Sequence, residues 1–271
     1  MNRWFRTVLR LTPIVAGTSL VSVLGLIACR SLIPQDQLRA SSDALGNYLQ
    51  TVGGIYAVLL AFVVYVVWGQ YNDARGFVAR EATAVVDLHR TATGLPNATR
   101  IAIQEHLQAY VDAVISDEWR AMTGRDDATL ERVGALLDDV WLAIHRCHPK
   151  TETQQAVYAE VLTRFNELSD VRTSRLTAAR TRIPPAMRVL LFLGALITIG
   201  SMYLLAFQEF WLQALVTGAL AGAIGHILFL ILDLDHAFGG HCHVENLPFQ
   251  RARRSFERPT HQANIELQAS A

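Results

Sequence analysis

Four stretches of the sequence carry no Asp, Glu, Lys or Arg, and they constrain the fold more than any other feature. They are 19, 29, 20 and 23 residues long and cover Leu11–Cys29, Ala44–Asn72, Val189–Gln208 and Phe210–Leu232. A helix of about 20 apolar residues crosses the roughly 30 Å hydrocarbon core of a bilayer. Buried helices of soluble proteins are usually shorter and keep a polar stripe, whereas Val58–Val67 is apolar on every side. The pattern therefore predicts an all-α protein with four transmembrane helices in a lipid bilayer.

The composition agrees with a chain that is partly embedded in a membrane and partly exposed to water. Charged residues make up 18% of the 271 residues, below the roughly 25% of an ordinary soluble domain. The 24 basic residues balance the 24 acidic ones, so the basic excess of a nucleic-acid-binding protein is missing. The hydrophobic share of 51% argues against a disordered chain, and three cysteines cannot form a disulfide scaffold.

The first uncharged stretch has two interpretations. Met1–Arg10 is positively charged, and Leu26-Ile27-Ala28-Cys29 resembles the lipobox at which bacterial lipoproteins are cleaved and lipidated. The stretch is, however, longer than the usual signal-peptide core of about 7–15 residues, and three further spans follow it. We therefore favour a retained transmembrane helix over cleavage at Cys29. Both interpretations place the loop that follows on the non-cytoplasmic side.

The placement of arginine predicts the orientation, because cytoplasmic loops carry an excess of Lys and Arg. Arginines concentrate in the N-terminal tail, in the central segment and after span four, whereas the first loop balances Arg30 and Arg39 with Asp36 and Asp43. This predicts a bacterial inner-membrane protein with both termini in the cytoplasm. The predicted organisation is residues 1–72 for spans one and two, 73–184 for a cytoplasmic helical domain, 185–238 for spans three and four, and 239–271 for a cytoplasmic tail.

The central segment has the composition and periodicity of a water-exposed helical domain. Residues 73–184 hold 14 basic and 16 acidic side chains. Apolar residues recur there at helical spacing, as at Ile103, Leu107, Tyr110 and Val114. Because no proline lies between Gly54 and Gly76, span two is expected to continue past the membrane toward Gly94. A second long helix is expected from about Thr151 to Ile183, before Pro184-Pro185.

Several motifs resemble a bacterial membrane protein family. They are Tyr56-Ala57-Val58-Leu59-Leu60-Ala61-Phe62, Trp68, Tyr71, Ala74-Arg75, Glu81-Ala82, Leu95-Pro96, Tyr110, Asp117-Glu118-Trp119 and Leu232-Asp233-Leu234-Asp235-His236-Ala237-Phe238-Gly239-Gly240. With the four-span layout, they resemble the family described by a bestrophin-like domain, over roughly residues 45–250. The similarity to true bestrophins, which are pentameric chloride channels, rests on topology and on Trp68-x-Gln70-Tyr71.

The resemblance implies a function for the spans. By analogy with bestrophins, the chain is expected to form a ring-like homo-oligomer, a pentamer in true bestrophins, that conducts inorganic ions and specifically anions. The alternative is a non-conducting membrane scaffold or sensor whose cytoplasmic helices bind a partner. No nucleic-acid partner is expected. The sequence has no Gly-rich phosphate loop, nucleophile elbow or Ser-His-Asp order, so we do not expect an enzyme.

Span two is the candidate pore helix, because the second helix of bestrophins lines a narrow apolar neck that gates by dewetting. The predicted pore-lining stripe is Gly54, Val58, Ala61 and Tyr65. An alternative stripe on the same helix is Tyr56, Leu60, Val63 and Val67. Packing against neighbouring helices or lipid is the simpler explanation for either stripe, and the sequence alone does not choose between them.

Other candidates lie in or near span four. Asp233 and Asp235 stand where an acidic cluster of animal bestrophins helps to form a calcium clasp, so they are a candidate calcium site. Two aspartates fall short of the six to eight oxygen ligands that Ca²⁺ takes, and simple helix termination is the alternative. Gly218 and Gly222 predict close helix packing. His226 is the only ionisable residue deep within a span, and a packing role is expected for it.

The central segment also carries candidate ion pairs. Glu118 continues the apolar face of Tyr110 and Val114, so we expect it to be buried and paired, since a buried carboxylate requires a partner. Its expected partners are Arg120, Arg125 or an arginine on the extension of span two. A second expected cytoplasmic cluster joins Glu81 with Arg75 and Arg80.

Overall fold

The computed structural model describes residues 3–33, 42–124, 126–205 and 207–257, and the long regular elements in these ranges are all helices. They are α1 (Arg3–Leu32), α2 (Ser42–Thr91), α3 (Asn97–Ala113), α4 (Trp119–Gly124), α5 (Asp127–His145), α6 (Glu152–Arg180), α7 (Pro185–Tyr203), α8 (Phe210–Leu234) and α9 (residues 247–257). A 3₁₀ turn, Ala92–Gly94, follows α2, and the π-helical turn Val114–Glu118 joins α3 to α4. The predicted all-α class is confirmed.

Four helical intervals are long and apolar enough to cross a membrane: Thr12–Leu32, Ala44–Gly94, Glu152–Tyr203 and Phe210–Leu234. Each contains or overlaps one of the uncharged stretches, so the prediction of four spans is confirmed. The third interval covers both α6 and α7. Its apolar part is α7, since α6 carries charged side chains along its whole length.

The long second helix is continuous, as its sequence predicts. α2 runs from Ser42 to Thr91 and passes into the 3₁₀ turn that ends at Gly94. The chain then becomes extended at Leu95, because the residue before a proline avoids the helical conformation. The helix predicted to reach Ile183 ends at Arg180, and Thr181 is already extended. Pro184 follows only three residues after Thr181. Because the residue before a proline avoids the helical conformation, the helix ends before Ile183.

The chain forms two compact units. The span unit consists of residues 1–69 and 182–235, and the polar unit consists of residues 70–181 and 236–271. Helix α2 contributes its first part to the span unit and its remainder to the polar unit. The polar unit also contains α3 to α6 and α9.

Small residues mediate the packing of α1 against α8 in the span unit. Gly218 and Gly222 both face α1, and the hydroxyl of Ser19 donates a hydrogen bond of 2.7 Å to the carbonyl of Gly218. A Cβ atom added at Gly222 would lie only 2.7 Å from the Ser19 Oγ and 3.0 Å from Val15 Cγ1. These glycines therefore allow a close approach of two helix backbones, which favours association in lipid.

The polar unit has its own apolar core, and α9 is part of it. The largest buried side chains of this core include Leu88, Ile103, Leu107, Ile144 and Leu168. Phe249 on α9 is also completely buried. Helix α9 lies within the predicted tail, residues 239–271, and packs into the core of the polar unit. The physical reason is the helical spacing of Phe249, Ala252 and Phe256, which gives α9 one apolar face.

Candidate functional site

Helix α2 presents two opposite faces within the span unit. The buried face is formed by Tyr56, Leu60, Val63 and Val67, none of which is more than 6% exposed. The outward face is formed by Gly54, Val58, Ala61 and Tyr65, all of them exposed. Val58 is 71% exposed and Tyr65 is 77% exposed. Among the described residues of the span unit, the stripe predicted to line a pore is therefore exposed, whereas the alternative stripe packs against the helices of the unit.

The rotation of α2 about its own axis is fixed by Tyr56. Its hydroxyl donates a hydrogen bond of 2.9 Å to the backbone carbonyl of Leu191 on α7. Its ring lies against Gly194, where an added Cβ would be only 2.4 Å from Tyr56 Cδ2. The tyrosine and the glycine thus form one interlocking contact, and this contact directs the opposite side of α2 away from α7.

The outward face offers apolar surface and one phenol, and no charge. Gly54 has open space where a Cβ would be, and the uncharged stretch extends from Ala44 to Asn72. Such a surface cannot bind an ion through charge. It can contact lipid, pack against another copy of the chain, or line a narrow apolar constriction whose wetting controls permeation.

The two aspartates at the end of α8 are buried, and both take part in interactions within the protein. Asp235 is 3% exposed, and its Oδ1 accepts a hydrogen bond of 2.7 Å from the backbone N–H of Ile183. This bond satisfies the last N–H before Pro184 and Pro185, which have none. Asp233 is 7% exposed. In the part of the chain that the structure describes, no three His, Cys, Asp or Glu side chains are grouped to hold a metal ion, so the calcium site stays a prediction without a sufficient set of ligands.

His226 lies half-buried in α8. Two other neutral polar residues of the same helix, Gln213 and Thr217, are completely buried. The Nε2 of Gln213 donates to the carbonyls of Met202 and Leu205 at 3.1 and 2.8 Å. Gln213 therefore closes the turn between α7 and α8 by binding one carbonyl in the last turn of α7, where a helix leaves carbonyl groups without intrahelical partners, and one just after it.

The polar unit contains a buried ionic cluster, defined here as Glu81, Glu118, Arg172 and Arg175 together with Tyr110. Glu81 and Arg175 form a bidentate pair, with Arg175 Nε 2.6 Å from Glu81 Oε2 and Arg175 Nη2 3.1 Å from Glu81 Oε1. Arg175 Nη2 also donates to Glu118 Oε2 at 2.7 Å. Both carboxylates and Arg175 are completely buried. Because bidentate, charge-assisted bonds are strong and directional, they fix α2 against α6 within this unit.

The second arginine completes the charge balance of the cluster. Arg172 Nη2 donates to Glu118 Oε1 at 2.5 Å and to the carbonyl of Leu130 at 3.0 Å. Two carboxylates then face two guanidinium groups, so the cluster is neutral when all four are charged. Glu118 ends the π-helical turn Val114–Glu118. A π turn shifts the register of the side chains that follow it, and here it accompanies the burial of Glu118.

Tyr110 acts as a neutral donor to the cluster. Its hydroxyl donates to the Oε1 of Glu81. Burial, together with the carboxylates of Glu81 and Glu118, raises the pKa of Tyr110 well above its usual value. Burial by itself lowers the pKa of Arg175, but the same two carboxylates outweigh it and raise this pKa well above its usual range. The phenol therefore stays protonated and the guanidinium stays charged.

The ion pairs expected from the sequence are corrected by this geometry. Glu81 pairs with Arg175, whereas the guanidinium groups of Arg75 and Arg80 lie over the rings of Tyr71 and Phe77 at 5.9 and 4.8 Å. The reason is helical periodicity, because Glu81 lies on the buried face of α2 and both arginines lie on exposed sides.

Glu118 is paired with arginines of α6 rather than with the nearer arginines considered from the sequence, and Arg125 lies outside the described residues. The sequence pattern does not by itself identify Arg172 and Arg175 as its partners. One signal pointed to Arg175, since it follows the buried residues Val161 and Leu168 at intervals of seven on α6. A charged side chain on an apolar helix face requires a buried partner.

Comparison with known proteins identifies the fold. The chain matches the family model described as Bestrophin-like domain over residues 16–249. It is similar to crystal structures of a bacterial bestrophin homologue from Klebsiella pneumoniae. One variant has a TM-score of 0.65 at 17% identity, covering 90% of this chain and 96% of that one. Another has a TM-score of 0.66 at 15% identity, covering 94% and 99%.

A further structure of the Klebsiella pneumoniae homologue, phased with zinc, has a TM-score of 0.62 at 16% identity. It covers 93% of this chain and 96% of that one. A comparison with curated proteins found no match. At these identities the solved structures show a shared fold. Because the family match extends over residues 16–249, which is most of the sequence, this protein belongs to the Bestrophin-like family.

Proposed function

We propose that this protein is the subunit of a homo-oligomeric membrane ion channel whose conducting path is lined by the outward face of α2. The observation that carries the proposal is the exposure of Val58 and Tyr65, 71% and 77%, on a helix whose other face is buried. Membership of a family with channel-forming bestrophins supports the same conclusion.

The proposal requires several copies of the chain. The outward face has no partner in its own span unit, and one apolar helix face does not enclose a path. Closed rotational symmetry would bring equivalent α2 helices together around an axis. Their Val58 and Ala61 side chains would form an apolar neck, which conducts when wet and closes when dry. A ring of five copies is the arrangement that the bestrophin resemblance suggests.

The orientation and selectivity are part of the proposal. Arginine placement supports a bacterial inner-membrane location with both termini and the polar unit in the cytoplasm. The exposed arginines at positions 75, 80 and 90 of α2 would raise the local concentration of anions near the path. We therefore propose that the channel conducts anions such as chloride.

Single-channel recording in planar bilayers tests the pore assignment. Val58→Ala removes two methyl groups from the proposed neck, so we expect a higher conductance or a greater open probability. Val189→Ala is the matched control, because Val189 is 65% exposed on α7, outside α2. An unchanged conductance in Val58→Ala, or an equal change in both variants, contradicts the assignment.

Selectivity and the non-channel alternative are tested in the same system. Under a chloride gradient, an anion channel gives a reversal potential near that of chloride, and a cation channel gives the opposite sign. The alternative function is a non-conducting scaffold or sensor that binds a cytoplasmic partner. Absence of current from protein verified as an oligomer would favour this alternative over a channel.

A further inference from the structure

A groove in the described part of the polar unit lies between α5 and α6. It has a volume of about 600 Å³ and continues into a second space of about 410 Å³ with which it shares lining residues. Its walls are helices, so its shape is fixed by packed elements. Its surface is mixed, with carboxylates, a guanidinium, small residues and aromatic rings, which is typical of a site for a small polar ligand rather than of a purely apolar contact surface.

The α5 wall carries two carboxylates. Glu131 and Asp138 are seven residues apart, so they lie on the same side of the helix, and both are exposed. Gly134 and Ala135 lie between them and leave room in the groove. A Cβ added at Gly134 would make only an ordinary contact, 3.5 Å from Arg172 Nη1. The acidic wall therefore faces space that small residues keep open.

The α6 wall supplies a guanidinium group with unused hydrogen-bond donors. The Nη2 of Arg172 is occupied by Glu118 and by the carbonyl of Leu130. Its Nε is buried and has no partner among the described residues. Its Nη1 is the atom nearest to Gly134 across the groove. The ionic cluster thus uses one nitrogen of Arg172, and Nη1, which lies next to Gly134, is the donor that an acceptor in the groove would reach.

Two aromatic rings form one end of the groove. The ring centroids of Trp141 on α5 and Phe165 on α6 are 5.3 Å apart, and both residues line the groove. Trp141 remains 38% exposed. The pair offers an apolar surface beside Asp138 and Asn166, and an apolar group of a ligand would cover it.

We propose that the α5–α6 groove binds a small zwitterion of the α-amino acid class. The ligand carboxylate lies against Arg172, its ammonium against Asp138, and its apolar side chain against Trp141 and Phe165. Opposite charges in one ligand fit this lining better than a single charge. An anion alone is repelled by the two carboxylates, and a cation alone gains nothing from the free donors of Arg172.

The remaining charges of the groove do not change this conclusion. Arg180 and Asp127 lie at its far end and form an exposed ion pair with each other. The groove shares no lining residue with the outward face of α2, and the proposal does not depend on ion conduction. It assigns this chain a small-molecule ligand whether or not the oligomer is a channel.

Isothermal titration calorimetry on the purified full chain in detergent tests the proposal with L-phenylalanine as the probe. We expect saturable binding. 3-Phenylpropionate, which lacks the ammonium, and 2-phenylethylamine, which lacks the carboxylate, should each bind at least tenfold more weakly. Asp138→Asn should weaken L-phenylalanine binding by about tenfold, the factor that corresponds to roughly 1.4 kcal/mol.

A matched variant and a blocking variant complete the design. Asp139→Asn removes the neighbouring exposed carboxylate, which does not line the groove, and should bind like the wild type. Gly134→Leu fills the groove next to Arg172 and should abolish binding, with unchanged thermal unfolding as evidence of folding. The proposal is overturned if the wild type shows no saturable binding, if both analogues bind as tightly as L-phenylalanine, or if Asp138→Asn and Asp139→Asn behave alike. Cross-linking of Trp141→Cys to another copy of the chain would overturn it as well, since a neighbouring subunit would then occupy the groove.

Discussion

The span unit and the polar unit are each stabilised internally by a different kind of contact. In the span unit, helices approach through glycines, as at Gly194 and Gly222, and buried polar side chains such as Gln213 are neutral. The buried acids among its described residues, Asp233 and Asp235, lie at the end of α8. In the polar unit, four charged side chains come together near the centre, and three of them are completely buried.

The difference follows from the interactions that determine how helices pair in each unit. Apolar helices in lipid gain little from hydrophobic contact with one another, so shape and close backbone approach determine how they pair. In the polar unit, a charge that is buried without its partner is strongly unfavourable. The ionic cluster therefore penalises any arrangement of α2, α3, the π-helical turn Val114–Glu118 and α6 that separates its members. Mutations should accordingly fail by steric conflict in one unit and by unpaired charge in the other.

The largest effect is expected from Arg175→Met. The variant leaves Glu81 and Glu118 buried with only Arg172 near them, and breaking such a pair costs about 3–5 kcal/mol. We expect most of the protein to lose the folded polar unit, measured as a large fall in the midpoint of thermal unfolding in detergent.

Two further variants separate charge from side-chain volume. Arg164→Met removes an exposed guanidinium on the same helix, which pairs with Glu160 and Glu167, and should have a small effect because exposed pairs contribute little. The double variant Glu81→Gln, Arg175→Met should recover part of the lost stability, since it removes the charge of Glu81 and leaves Glu118 paired with Arg172. If this variant is no more stable than Arg175→Met alone, unpaired charge is not the cause of the stability lost in Arg175→Met.

The next largest effect tests steric packing in the span unit. Gly194→Ala places a Cβ about where the Tyr56 ring lies, at 2.4 Å from Cδ2. Overpacking of this kind costs about 1–3 kcal/mol. Gly200→Ala is the control on the same helix, because a Cβ there meets nothing within 4 Å. Equal unfolding midpoints for the two variants would show that the Tyr56–Gly194 contact does not position α2.

In both units, local sequence properties could be predicted, whereas contacts between residues distant in the chain could not. The spans and the continuous α2 could be predicted because uncharged length and the absence of proline are local properties. The face of α2 that is buried could not, since it depends on Tyr56 meeting Gly194 across 138 positions of the chain. Glu118 was placed on a buried face by its spacing from Tyr110. Its partners, Arg172 and Arg175, lie 54 and 57 residues away, and no local pattern pairs them.

Tyr110→Phe tests the contribution of the neutral donor in the cluster. It removes one hydrogen bond to a buried carboxylate, so we expect a loss of about 1–3 kcal/mol near neutral pH. The pKa of Tyr110 is raised in the folded state, so the folded protein holds this proton more tightly than the unfolded chain. This stability is complete below the ordinary tyrosine pKa of 10.0 and is lost as the pH rises above it.

The alkaline difference is the measurement that distinguishes this effect from a simple packing loss. Between pH 9 and about pH 11, denaturant unfolding should show the wild type losing more stability than Tyr110→Phe, so the two curves converge. The other tyrosines are common to both proteins and cancel. Parallel curves over this range would contradict the role of a protonated Tyr110.

The smallest effect concerns a half-buried histidine at the edge of the polar unit. Burial, and secondarily the charge of Arg90, lowers the pKa of His89, and its ring stacks on Phe256 with centroids 4.3 Å apart. A lowered pKa means that the unfolded chain binds the proton more readily. The stability from neutral His89 is therefore present above the ordinary histidine pKa of 6.5 and is lost as the pH falls through that value.

His89→Phe keeps a ring against α9 and removes the titration, so its unfolding midpoint should decline less than that of the wild type between pH 7 and about pH 5. Because His89 is only partly shielded from water, the difference should be much smaller than the effect of Arg175→Met. An equal decline in both proteins would show that protonation at this edge is tolerated, and that only the completely buried charges of the cluster distinguish the polar unit from the span unit.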